Sequence, residues 1–85
     1  MKLKPNFLTH EIDGVQVLVD VENKDFSGIV RNNQTAAFVV DCLSKETDVD
    51  EIVDAMYNTF DAPKDVIKKD VEEIIKKLDS IGALE

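Results

Sequence analysis

The sequence predicts an α+β domain in which a three-stranded antiparallel β-meander is followed by three α-helices (βββααα). Three observations carry that expectation. Asp13-Gly14 stands between two stretches of extended character. Phe26 to Leu43, FSGIVRNNQTAAFVVDCL, passes from an apolar extended segment through two asparagines into a helix. From Asp48 onward, apolar residues recur at helical spacing.

The elements follow in order. Leu3 to Asn6 reads as a polar lead-in, and Phe7 to Ile12 alternates weakly before Asp13-Gly14. That dipeptide between Ile12 and Val15 signals a tight hairpin, because a type I′ turn requires positive φ at both central residues. The second strand, Val15 to Val21, sets Val15, Val17, Val19 and Val21 on one face and Gln16, Leu18 and Asp20 on the other. One face is then expected to be buried and the other mostly wet, the valines being the apolar set. Glu22 to Asp25 reads as a polar turn and Phe26 to Arg31 as the third strand. Gly28 within it weakens the strand and permits close approach of another backbone.

Asn32 or Asn33 is placed to cap the first helix, about Gln34 to Lys45. Its residues Ala37, Phe38, Val39, Val40 and Cys42 are apolar almost all round, so it should be largely covered. Thr47 and Asp48 start the second helix, with Glu51 three residues after Asp48 as in a capping box. Val49, Ile52, Val53, Met56, Tyr57 and Phe60 form its apolar face; the opposite face is acidic, a solvated surface or a docking surface for a basic patch. Pro63 suits the first turn of the third helix, which runs to about Ile81 and ends at Gly82. Ile67, Val71, Ile74, Ile75 and Leu78 make one stripe along it.

The 85 residues, 44% hydrophobic, suit a single domain over residues 1–85 with one modest core. A net charge of −8 repels phosphate backbones and anionic lipid, which argues against nucleic acid and membrane surfaces as partners. Met1 to Asn6 lacks the apolar run of a secretory signal, and a single cysteine precludes an internal disulfide; both fit a cytoplasmic protein. No nucleophile with its base, paired acids or metal-ligand cluster is visible, His10 stands alone, and the glycines do not form a phosphate loop. Cys42 lies among Val39, Val40 and Leu43, as an inert buried thiol would. The chain therefore reads as a binding module without enzymatic activity, cofactor or metal. The element order is winged-helix-like, and a DNA-binding or transcription-associated module is the alternative, although no basic stripe supports it. An acyl carrier reading lacks its Asp-Ser-Leu site: Asp41-Cys42-Leu43 has sulfur in place of the hydroxyl, and Asp79-Ser80-Ile81 is too near the end.

From Asn33 to Leu84 the sequence resembles the PqqD-like family, the coenzyme PQQ synthesis protein D group whose fold is also called the RiPP recognition element. The residues that carry the likeness are Asn33-Gln34-Thr35-Ala36, Thr47 to Val53, Phe60, Val66, Asp70-Val71, Ile74-Ile75, Leu78 and Ile81 to Leu84. The chain departs from the family's usual pattern at Asn32, where a leucine is usual, and at Ser44-Lys45-Glu46, where a glycine is. The resemblance implies a peptide chaperone that binds the leader segment of a ribosomally synthesised precursor and presents it to a modifying enzyme, often a radical SAM maturase. The leader is then expected to add as a strand to the third strand, beside the third helix. The residues expected to bind it are Gly28, Ile29, Val30, Arg31, Asn32, Val66, Asp70, Ile74 and Lys77. The protein itself would be a monomer or a weak dimer.

Overall fold

In a computed structural model, which describes residues 1–21 and 29–85, the order is β1 (Phe7–Ile12), β2 (Val15–Asp20), β3 (Ile29–Asn32), α1 (Gln34–Cys42), α2 (Val49–Thr59) and α3 (Lys64–Ser80). The antiparallel sheet has the order β1-β2-β3, so among the described residues β1 and β3 each present one free edge. Asp13 (φ 53°) and Gly14 (φ 79°) both lie in the left-handed region, as a type I′ turn demands. They hold Ile12 opposite Val15, and the register runs unbroken to Phe7 opposite Asp20. The third strand extends one residue further than expected, to Asn32; the expected turn at Glu22 to Asp25 and strand start at Phe26 to Gly28 lie outside the described residues.

The face of β2 that packs on the helices is not the valine face. Leu18 (1% exposed) belongs to the core with Phe7, whereas Val15 and Val21 are 39% and 57% exposed. Val17 is buried, but outside that core cluster. Alternation alone could not assign the faces, because one large leucine filling the gap to the helices outweighs a row of smaller valines.

The helices start where side chains satisfy their first amides. Asn33, not Asn32, caps α1: its Oδ1 accepts from the Ala36 amide at 2.8 Å. Asp48 Oδ1 accepts from the Glu51 amide at 2.8 Å, and Thr47 Oγ1 donates to the Glu51 carboxylate at 2.9 Å, which fixes the start of α2. Pro63 occupies the position before α3, and the helix gives way to Gly82 (φ 72°) just after Ile81. The first helix ends at Cys42, short of Lys45, with Leu43 as its cap.

Val39, Val40, Leu43, Ile52, Val53, Met56, Ile67, Val71 and Leu78 make the centre of the core, closed on one side by an edge-to-face contact of Phe38 and Phe60 with ring centroids 5.4 Å apart. Tyr57, expected on the apolar face of α2, is instead 51% exposed under the Lys64 ammonium. The polar lead-in is tied down as well. Leu3 pairs with Leu84, and its amide donates to the Leu43 carbonyl at 2.9 Å while that of Lys4 donates to Ala83 at 2.8 Å. This strap sets the C-terminal end of α3 against the rest.

Candidate functional site

Hydrogen bonding along an antiparallel sheet alternates, so the hairpin turn determines which amides of β3 are free. The residues flanking a two-residue turn exchange hydrogen bonds; Val15, Val17 and Val19 are thereby directed to β1, and Gln16 and Leu18 to β3. The bond from the Val21 amide to the Asn6 carbonyl, 3.0 Å, continues the same parity. Opposite Gln16 and Leu18 stand Asn32 and Val30, whose backbone groups are therefore used within the sheet. Ile29 and Arg31 direct their N–H and C=O groups to the open edge.

Beside the end of that edge lies a cleft of about 400 Å³ lined by Asn32, Asn33, Ala36, Ile74, Lys77, Leu78, Ser80 and Ile81. It is walled by the first turn of α1 and the last turns of α3. Ile74, Leu78 and Ile81 make it mostly apolar, and Lys77 supplies a cation at the rim. Of the sequence-derived site residues, the structure brings Asn32, Ile74 and Lys77 to this cleft. Asp70 and Val66 lie one and two turns earlier on the same stripe of α3, exposed and away from it. Ile29, Val30 and Arg31 form the strand, and Gly28 lies outside the described residues. Asn33, Ala36, Leu78, Ser80 and Ile81 also line it and are not among the sequence-derived site residues. The spacing of Ile74, Lys77 and Ile81, three and then four residues apart, is the signal that could have found the last of them.

Asn32 is buried, 7% exposed, and is held by a polar chain: its Nδ2 donates to Gln16 Oε1 at 2.6 Å, and Gln16 Nε2 donates to Asp41 Oδ1 at 3.0 Å. Its side chain thus points under the sheet and fixes the end of β3 to β2 and α1. The departure from leucine exchanges an apolar anchor for a hydrogen-bonded one. Glu11, Gln16 and Asp41 face a second cleft, about 760 Å³, between the hairpin and α1. Cys42 is half-buried, and burial, reinforced by the Asp41 carboxylate, pushes its thiol pKa up, which disfavours the nucleophilic thiolate. Among the described residues no cluster of His, Cys, Asp and Glu could hold a metal ion, and no helix is long and apolar enough to cross a membrane.

Three helices beside an antiparallel sheet define an α+β scaffold. The family model for coenzyme PQQ synthesis protein D (PqqD) matches residues 16–84, and the chain belongs to that family. Two solved structures share the fold. "TbiB1 in complex with the TbiA(beta) leader peptide" is 19% identical with a TM-score of 0.83, over 100% of this chain and 95% of that one. "Lasso peptide synthetase B1 complexed with the leader peptide" is 18% identical with a TM-score of 0.79, over 96% of this chain and 93% of that one. No curated protein sequence matches the chain.

Proposed function

We propose that the chain is a non-catalytic peptide chaperone, a single cytoplasmic peptide-recognition domain on a winged-helix-like scaffold. It binds the leader segment of a ribosomally synthesised precursor as a strand added to β3 and presents the precursor to a modifying enzyme, for which the family resemblance suggests a radical SAM maturase. The observation that carries this is the open edge of β3, with outward backbone groups at Ile29 and Arg31, running to the apolar cleft of Ile74, Lys77 and Ile81. Membership of the PqqD family supports it, as does the bound leader peptide in both similar structures. The DNA-binding alternative is not favoured: α3 alternates its lysines with carboxylates and the chain carries −8.

The magnitudes fit a reversible carrier. Four backbone hydrogen bonds at about 0.5–1.5 kcal/mol each and two apolar side chains at about 1.5–3 kcal/mol each give a gross gain of roughly 5–12 kcal/mol. Ordering the peptide removes several of these, leaving affinity nearer micromolar than picomolar.

The test is an NMR titration of the labelled protein with the leader of the precursor encoded beside it, on the wild type and on two proline variants. Shifts are expected at Ile29 to Asn32, Ile74 and Lys77. Arg31→Pro removes an outward N–H while leaving the bonds to β2, so it should stay folded and bind about tenfold or more weakly. Val30→Pro removes a bond inside the sheet and should damage the fold. A folded Arg31→Pro protein with unaltered affinity would sink strand addition at this edge.

A further inference from the structure

The other edge that is free among the described residues, β1, is six residues long. The parity that turns Arg31 outward also turns Thr9 and Glu11 outward, while Leu8, His10 and Ile12 bond to β2. Exposed edges are usually blunted by lysine, proline, a bulge or a covering element. FLTHEI has no Lys and no Pro, pairs with β2 without interruption, and is exposed from Leu8 to Ile12. On the sheet face turned away from the helices, Leu8 (45% exposed), Ile12 (52%) and Val15 (39%) add an apolar surface to that edge.

We propose that β1 pairs with β1 of a second copy, antiparallel about a two-fold axis at His10, to give a continuous six-stranded sheet. The occupant is a second copy because the strand complements itself in this register. Thr9 stands opposite Glu11 of the other copy as a hydrogen-bonded pair, and Leu8 stands opposite its Ile12 on the apolar face. No like charges are directly opposed. The neighbouring registers are worse: an axis at Glu11 sets two carboxylates face to face, and one at Thr9 sets Leu8 against His10 and Phe7 against Glu11. The net charge of −8 on each copy opposes association, so the dimer is weak, with a dissociation constant on the order of 0.1 mM. Both β3 edges stay open, at the two ends of the joint sheet, and the dimer carries two leader grooves.

Sedimentation equilibrium of the full chain tests this. Thr9→Glu sets a carboxylate against Glu11 twice per dimer and should raise the dissociation constant roughly tenfold. Thr9→Lys creates two opposite-charge pairs and should tighten the dimer several-fold, and Thr9→Glu combined with Glu11→Lys should restore the wild-type constant or better. Asn58→Glu, exposed on α2, carries the same net charge as Thr9→Glu and should leave association nearly unchanged. A monomer at every concentration, or a dimer that Thr9→Glu and Asn58→Glu weaken equally, would overturn the proposal.

Discussion

The helical half of the molecule and its hairpin are held by different means. Val39, Val40, Leu43, Ile52, Val53, Met56, Ile67, Val71 and Leu78 pack on one another, so the three helices bury their apolar faces mutually. From β1 and β2 only Phe7 and Leu18 join that core; the rest of the hairpin relies on its ladder and its turn. A part that contributes little to the common core leaves more of its own surface and backbone for partners, and the open edges of this domain both belong to the sheet. The helices act as the rigid wall against which those edges are presented.

The largest effects should expose that difference. Leu43 and Leu18, 0% and 1% exposed, are leucines of equal size in the two halves. Replacing either with alanine should cost about 2–5 kcal/mol, read by chemical denaturation. The consequences should diverge in hydrogen exchange: Leu43→Ala lowers protection throughout, whereas Leu18→Ala lowers it mainly in β1 and β2 and leaves α2 and α3 protected. Uniform loss in both variants would show that hairpin and helices form one cooperative unit and would break the comparison.

A turn substitution sharpens it at lower cost. Gly14 has φ 79° with open space where a Cβ would stand, so alanine there meets no clash and carries only the conformational penalty of about 1–2 kcal/mol. That loss should be confined to the hairpin amides. If the helices lose protection as well, the turn is coupled to the core through more than Phe7 and Leu18.

Where local chemistry decided the structure, the sequence was readable. Asp13-Gly14 specified a turn that few other dipeptides adopt, Asp48 and Glu51 specified a helix start, and the helical stripes named most of the core. The errors arose where tertiary packing chose between locally equal options. Two asparagines were equivalent caps until Asn32 was drawn under the sheet by Gln16. Two faces of β2 were plausible until Leu18 was set against the helices. The strap formed by Leu3 with Leu84 joins the two ends of the sequence, and no periodicity announces such a pairing. At the candidate site, the residues of α3 followed from helical spacing. Which of them share a cleft depended on where α1 begins, so Ile74 and Lys77 meet Asn33 and Ala36 while Val66 and Asp70 do not.

The smallest expected effect lies at the end of α1, in the thiol of Cys42. Burial, and secondarily the negative charge of Asp41, raise its pKa in the folded chain. A group whose folded pKa is raised stabilises the fold below the unfolded pKa, and that contribution is lost as pH rises through the folded value. The thiol is only half-buried, so the stability term is small, but reactivity reports it directly because only the thiolate attacks. Alkylation by iodoacetamide between neutral and mildly alkaline pH should be slower in the folded protein than in urea, by several-fold. Leu43→Ala, which opens the helical core next to Cys42, should erase much of that protection, while Gly14→Ala should not. Equal acceleration by both would mean that opening the hairpin bares α1, and that the helices do not close without it.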